Sequence, residues 1–457
     1  MSEFGKLLYG YRPSTEVEMF PTNSGGDDDS QRTRRGFIGA VAAASAVGLA
    51  GCSGGDGTET ATDEPMSTMT ETMTPTEEPT EEPTATPQPA APDVPTLNYA
   101  LTLEHLENVF YRDGLETFSD DELMNADALS SFNETIRMQV PEYLRTVGAH
   151  EQAHVDSLTA TIEDLNGEPI PEGEYEFGYE TPSEFFEVGM ALENTGVAAY
   201  AGAAPTVVNN DLLTVAAGIH SVEARHAAFL NLVNDRAPFP SAVDEAKSVD
   251  EVLEIAGQFV TSEVDPGAYE LDEERPTHDR KAENDTSDVD VLNYALTLEH
   301  LENAFYRDGL AGFTDEELMN ADVLSDYGTT VQEKVPGHLA MVGEHEAAHV
   351  SALTDTVEQL GGTPVEEANY DFGYETPSEF LGVAKALENT GVAAYKGAAG
   401  TVSADAVFEA AISIHSVEAR HASFLNELNV ESPFPAGVDE PKTMAEVQEI
   451  AGQFIVE

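Results

Sequence analysis

The sequence predicts an all-α protein in which two tandem four-helix bundles follow a disordered amino-terminal signal and stalk. The first observation is a long internal repeat: LNYALTLEHLENVFYRDGL begins at Leu97 and LNYALTLEHLENAFYRDGL at Leu292, an offset of 195 residues. A period this long indicates a duplicated domain rather than a solenoid. The second observation is apolar residues at helical spacing, and the third is the lack of sustained strand-like alternation. Four amphipathic helices per repeat make a bundle.

The first repeat contains four long predicted helices and two short ones. The third long helix opens with Thr181-Pro182-Ser183-Glu184, a capping box with proline in the first turn. The predicted helices run from about Leu97 to Asp113, Asp120 to Leu129, Pro141 to Leu165, Pro182 to Ala204, Asp211 to Asn234 and Val249 to Phe259. These elements place one domain at 97–260 and its copy at 291–457, joined by a polar linker at 261–290.

The amino-terminal 52 residues read as an export signal. Arg34 and Arg35 form a twin-arginine pattern, and an apolar run of about 14 residues follows, too short to span a membrane. Leu49-Ala50-Gly51-Cys52 resembles a lipobox, so we expect cleavage before Cys52 and a lipid anchor at the cell surface. An uncleaved anchor is the alternative, and translation could start at Met1 or Met19. Residues 53–96, rich in Thr, Pro and Glu, predict a disordered stalk.

The composition excludes several function classes. Lys and Arg number 20 against 86 Asp and Glu, a formal net charge of −66, which repels nucleic acid and anionic membrane surfaces. Dense carboxylates along the whole chain are typical of a halophilic archaeal protein, because high salt screens their repulsion. Cys52 is the only cysteine. The mature domains therefore cannot contain disulfides, iron–sulfur clusters or a cysteine nucleophile.

Each long helix carries one glutamate within its apolar stripe, and two of the helices add a histidine three residues later. Residues three apart share a helix face, so each carboxylate and imidazole point inward together. The predicted metal ligands are Glu104, Glu151, His154, Glu193, Glu223 and His226, with Glu299, Glu346, His349, Glu388, Glu418 and His421 in the second repeat. Four buried carboxylates need compensation, and two divalent cations would supply it. Carboxylate with imidazole suits iron or manganese, and less specifically zinc. Solvated surface carboxylates are the alternative.

The order of these motifs on four successive helices is glutamate, Glu-x-x-His, glutamate and Glu-x-x-His. In this order the two repeats resemble ferritin-like di-metal carboxylate proteins, most closely the desiccation-related branch, over Leu97–Val260 and Leu292–Val456. The resemblance implies two iron or manganese ions per domain on the residues named above. Ferritins, bacterioferritins and rubrerythrins also have a tyrosine seven residues after a ligand glutamate, close to the metal ligands. The matching tyrosines are Tyr111, Tyr200, Tyr306 and Tyr395. Manganese catalases share a similar ligand order, so the metal stays open. Rubrerythrin's cysteine-ligated iron domain has no counterpart here, so the electron donor is unknown.

Several neighbouring residues are further candidates. Glu107 and Glu302 lie three residues after a predicted ligand and could replace or join it. His220 and His415 precede the glutamate of the fourth long helix by three residues. They could be additional metal ligands, hydrogen-bond partners of a ligand, or ordinary core residues. Histidines that sit beside a predicted ligand glutamate point about 100° away from it, which favours a surface or inter-repeat role. These are His105, His150, His300 and His345.

These features predict an exported, redox-active metalloprotein that acts on dioxygen, peroxide or ferrous iron. Ferroxidase, peroxidase and manganese-catalase-like reactions all fit. The alternative is a non-enzymatic surface or stress protein in which the metal is structural. A solute-binding lipoprotein is disfavoured because strand–helix alternation is missing. Two fused, tethered bundles are expected to pair with each other rather than close into a storage cage.

Overall fold

The structure, a computed structural model, describes residues 90–262 and 287–456. Both ranges are mostly helical, which confirms the all-α prediction. The signal with Cys52, most of the stalk and most of the linker lie outside the described residues. Within the described residues, no helix combines the length and hydropathy that crossing a membrane would require.

The first helix of the first repeat begins three residues before its predicted start, and the repeat includes one short helix that the sequence did not predict. They are α1 (Val94–Thr117), α2 (Asp120–Met124), α3 (Glu134–Arg137), α4 (Val140–Asp164), α5 (Pro182–Ala203), α6 (Asn210–Val233) and α7 (Val249–Ala256). The predicted helix from Asp120 to Leu129 is two elements, α2 and a 3₁₀ turn at Asp127–Leu129. The additional helix α3 is a single turn, capped by the Asn133 side chain.

The second repeat has the same order of helices. They are α8 (Asp288–Gly312), α9 (Asp315–Met319), α10 (Thr329–Gln332), α11 (Val335–Gln359), α12 (Pro377–Ala398), α13 (Asp405–Leu428) and α14 (Met444–Ala451). Two short strands, β1 (Asn369–Tyr370) and β2 (Ile455–Val456), pair antiparallel. They attach the loop after α11 to the end of the repeat. The first repeat makes the equivalent bridge between Tyr175 and Val260.

Capping chemistry sets where the third long helix begins in each repeat. The Thr181 side chain accepts a hydrogen bond from the Glu184 backbone, and the Glu184 side chain accepts one from the Thr181 backbone, as predicted. Pro182 occupies the first turn, where its missing N–H costs nothing. Thr376 and Glu379 repeat the arrangement at α12.

The long helices pack in pairs, and the two repeats share an interface. Helix α1 packs against α4, α5 against α6, and α6 against α13 of the other repeat. Both repeats lie within one compact unit. Because α6 has neighbours on both sides, almost every residue from Ala217 to Val233 is buried. A helix that is buried all round is typical of a central position, whereas the sequence had suggested only a single buried stripe on this helix.

Aromatic packing closes one end of each bundle. The Phe110 and Phe185 rings stack with centroids 4.6 Å apart, and Phe177 and Tyr179 meet Phe110 edge-on. Gly114 makes the stack possible, because a Cβ at this position would lie 2.1 Å from the Phe185 ring. Such offset and edge-on pairs each contribute about 0.5–1.5 kcal/mol beyond the area they bury.

Candidate metal centre

Four glutamates and two histidines meet in the middle of each bundle. Helices α1, α4, α5 and α6 each supply one glutamate, and α4 and α6 add the histidine one turn later. All six side chains of the first repeat are fully buried: Glu104, Glu151, His154, Glu193, Glu223 and His226. In the second repeat Glu299, Glu346, Glu388, Glu418 and His421 are fully buried and His349 is 1% exposed. The structure therefore brings together every residue of the predicted ligand set.

Within each bundle these residues form two overlapping groups whose donor atoms lie within 4.8 Å of one another. In the first repeat one group is Glu104, Glu151, His154 and Glu223, and the other is Glu151, Glu193, Glu223 and His226. In the second they are Glu299, Glu346, His349 and Glu418, and Glu346, Glu388, Glu418 and His421. We call the first pair of groups centre 1 and the second pair centre 2. Two glutamates are common to both groups of a centre, so each centre offers two adjacent cation positions that share two carboxylates.

The Nδ1 atoms of the two histidines face the carboxylates directly. His154 Nδ1 lies 3.1 Å from Glu104 Oε2, 3.2 Å from Glu151 Oε2 and 3.0 Å from Glu223 Oε1. His226 Nδ1 lies 2.9 Å from Glu151 Oε1 and 3.4 Å from Glu193 Oε2. Acceptor atoms at these separations repel one another unless a proton or a cation lies between them.

Several of these donor atoms make no hydrogen bond of normal geometry among the described residues. They include both oxygens of Glu223, one oxygen each of Glu151 and Glu193, and Nδ1 of His226. Glu346 and Glu418 repeat the pattern in centre 2. Each unsatisfied buried polar group costs about 1–3 kcal/mol, and more when it is charged. Divalent cations would satisfy all of these atoms at once, so the residues fit a pair of metal ions.

The charges of the metal-free centre are balanced by protons. Burial raises the pKa of Glu193 and Glu223 well above the usual range, and the neighbouring Glu151 adds to the rise. Burial also acts on Glu151, but the two adjacent imidazoles outweigh it and lower its pKa. For His154, burial lowers the pKa, but Glu104 and Glu151 outweigh it and raise the pKa well above normal.

Centre 2 shows the same balance of protons and charges. Burial raises the pKa of Glu299 to about 7. For His421, burial lowers the pKa, but Glu388 and Glu346 outweigh it and raise the pKa to about 9. Metal binding would have to displace protons from both centres.

The predicted tyrosines each donate a hydrogen bond to a ligand on a different helix. Tyr111 on α1 donates to Glu193 on α5, and Tyr200 on α5 donates to Glu104 on α1. A residue seven positions along a helix lies about 10 Å from its own glutamate, so it reaches the glutamate of the neighbouring helix instead. Centre 2 repeats the exchange: Tyr306 donates to Glu388, at 2.5 Å, and Tyr395 to Glu299.

The accessory glutamates lie beside the centres. Glu107 is buried but belongs to neither group of centre 1. A Cβ at Gly196 would lie 3.0 Å from Glu107 Oε1 and 3.3 Å from Glu223 Oε2, so the glycine leaves room for both carboxylates. Burial, followed by the charge of Glu223, raises the pKa of Glu107 well above normal. Glu302 and Gly391 repeat the arrangement.

The structure places the predicted accessory histidines at the contact between repeats, outside both centres. The His220 and His415 rings lie 5.9 Å apart, and both are 1% exposed. Their nitrogens have no hydrogen bond of normal geometry among the described residues, although the backbone of Val197 and Val392 lies beside them.

The four histidines that sit beside a predicted ligand glutamate divide into two kinds. His150 Nδ1 lies 3.1 Å from Nε2 of His226, and His345 has the same relation to His421. Sequence reasoning missed these contacts: the offset of about 100° on α4 that turns His150 away from the carboxylates of centre 1 turns it toward His226 on α6. By contrast, His105 and His300 hydrogen-bond backbone carbonyls of the loop after the second long helix.

Comparison with known proteins agrees with this geometry. Residues 92–235 and 287–431 each match the family described as Ferritin-like domain. No curated protein matches the chain. Because the two matches cover more than half of the sequence, the chain belongs to the ferritin-like family.

Proposed function

We propose that this ferritin-like chain binds two iron or manganese ions at each centre and acts in redox chemistry on dioxygen, peroxide or ferrous iron. The observation that carries the proposal is the pair of overlapping ligand groups, which share Glu151 and Glu223 in centre 1. Two shared carboxylates would hold two cations at adjacent positions. Carboxylate and imidazole donors suit iron and manganese.

The chain's own residues would hold and orient this pair of ions. The unshared donors of one cation position would come from Glu104 and His154. Those of the other position would come from Glu193 and His226. Tyr200 and Tyr111 fix the outer carboxylates through their hydroxyl groups. When bound, a metal pair supplies the electron exchange that reactions at an O–O bond require.

A structural role for the metal is the second candidate, and the burial of the centres favours it. All six donor side chains of centre 1 are excluded from solvent, which suits an ion that stabilises a fold. In that case metal removal would destabilise the bundles, and the loaded protein would show no turnover.

We also propose that the protein acts outside the cell. The support is the twin-arginine pattern and the lipobox-like sequence that ends at Cys52. The acidic composition suits a saline exterior. Substitution of Cys52 by alanine should release the protein from the membrane fraction of the expressing cells. Retention of the variant would contradict a lipid anchor.

Metal content and turnover, measured on one preparation, test the proposal. The full chain is purified, loaded separately with iron and with manganese, and freed of unbound metal. Elemental analysis should give about four ions per chain, one for each group of ligands. Peroxide loss and dioxygen consumption are then followed, with a Glu223→Gln/Glu418→Gln variant as control. Fewer than one ion per chain would refute the metal centres, and bound metal without turnover would support the structural role.

A further inference from the structure

We infer that each metal centre is completed by the other repeat. Residues 429–443, which follow α13 in the second repeat, close centre 1; residues 234–248, which follow α6 in the first, close centre 2. We call these segments closing loop 2 and closing loop 1. The inference rests on the proposed metal binding and adds the residues that position the ligand histidines, with Asp439 and Asp244 as positioning residues.

Closing loop 2 reaches the outer side of both histidines of centre 1. His154 turns Nδ1 to the carboxylates, while its Nε2 lies 2.6 Å from the carbonyl oxygen of Gly437. Donation from Nε2–H to this carbonyl leaves Nδ1 with a free lone pair, which is the form that binds a cation. The Phe434 ring packs edge-on against His226, with centroids 5.2 Å apart.

A buried ion pair holds closing loop 2 in register. Arg225 lies on α6 between the ligands Glu223 and His226, and its Nε donates to Asp439 Oδ2 at 2.8 Å. Arg225 is 1% exposed. The backbone N–H of Asp439 also donates to the carbonyl of Gly218 on the same helix, at 3.3 Å. The helix that carries two ligands of centre 1 therefore fixes the loop that orients a third.

Centre 2 repeats every contact at the offset of 195 residues. His349 Nε2 lies 2.6 Å from the carbonyl oxygen of Ala242, and the Phe239 ring lies 4.8 Å from His421. Arg420 Nε donates to Asp244 Oδ2 at 2.8 Å. The exchange of loops is therefore reciprocal, with each repeat closing the centre of the other.

Simple packing does not account for these contacts. A loop that only covered apolar surface would have no need to place a carbonyl on a ligand nitrogen, yet both loops do. A buried ion pair is also a poor source of net stability because of the desolvation of both charges, but it fixes geometry well. A single repeat supplies neither the acceptor for its histidine nor the partner for its arginine. Metal affinity at one centre should therefore depend on residues of the other repeat.

The test uses the full chain with one centre disabled. Glu388→Gln with Glu418→Gln leaves centre 1 alone, and Mn²⁺ binding is then measured by titration and by the EPR spectrum of the bound ion. In this background Asp439→Asn should weaken Mn²⁺ affinity about 10- to 100-fold and change the spectrum, the usual cost of losing a group that orients a ligand. The matched change Asp244→Asn should alter the affinity less than about twofold.

The reverse background separates positioning from general destabilisation. With centre 1 disabled by Glu193→Gln and Glu223→Gln, the two aspartate substitutions should exchange their effects, with Asp244→Asn now the damaging one. Equal effects of both substitutions in either background, or unchanged affinity in both, would overturn the inference. Absence of both Mn²⁺ and Fe²⁺ binding by the unsubstituted chain would instead overturn the proposed function.

Discussion

Replacement of a shared ligand should cost twice as much bound metal as replacement of an unshared one. Glu223 belongs to both groups of centre 1, whereas Glu193 belongs to one. Glu223→Gln therefore removes an anionic donor from two cation positions, and Glu193→Gln from one. From about four ions per chain, we expect about two for Glu223→Gln and about three for Glu193→Gln.

The metal-dependent part of the free energy of unfolding should fall in proportion to the number of ions lost. With free metal at a hundred times the dissociation constant, each bound ion stabilises the fold by about 2.7 kcal/mol. The metal-dependent part of the free energy of unfolding should then fall by about 5 kcal/mol for Glu223→Gln and about 3 kcal/mol for Glu193→Gln. Without metal, both variants should unfold much like the parent chain, because burial raises the pKa of both carboxyl groups and the neutral acid resembles glutamine.

Elemental analysis and denaturant unfolding, each with and without metal, measure these quantities. The metal-free unfolding curves show whether the variants fold. Equal metal loss from the two substitutions would refute the shared-ligand geometry. Four ions bound to Glu223→Gln would refute Glu223 as a ligand.

Three further predictions concern protons, ligand orientation and packing. In the metal-free chain His421 has a pKa of about 9, above its value of about 6.5 when unfolded. The stability it contributes is fully present below pH 6.5 and is lost as the pH rises to 9. Urea unfolding at the two pH values should show a fall of about 3 kcal/mol that divalent metal reduces. Tyr200→Phe removes the hydroxyl that donates to a ligand carboxylate, so Mn²⁺ titration of centre 1 should show affinity about 10- to 100-fold weaker. Gly114→Ala would bring a Cβ within 2.1 Å of the Phe185 ring and should cost about 1–3 kcal/mol in denaturant unfolding. At Gly312 the added Cβ would meet nothing within 4 Å beyond the adjacent residues and the backbone of its own helix, so the same change should cost nothing.

The local part of the fold was readable because helix signals act over short distances. The capping box at Thr181 depends on a residue three positions away. The inward faces depend on a period of 3.6 residues, which predicted the buried glutamates at 104, 151, 193 and 223. The prediction of one helix from Asp120 to Leu129 was wrong, because the α-helix ends at Met124 and a separate 3₁₀ turn follows at Asp127–Leu129.

Contacts between helices were harder to predict, since the spacing along one helix does not say which neighbour a side chain meets. Tyr111 and Tyr200 were selected by their distance from glutamates on their own helices, yet each donates to a glutamate on the other's helix. His150 was directed away from centre 1 by its angle on α4, and the position of α6 brings it to His226.

The sequence by itself determined the number of bundles, the long helices and the types of candidate ligand, because each depends on periodicity or on the repeat. Only the tertiary structure decided which carboxylates are shared and which loop closes which centre. Gly437 and His154 are 283 residues apart, and the contact uses a backbone carbonyl, which leaves no mark in the choice of side chain. The packing of α6 against α13 places the two closing loops across the repeats.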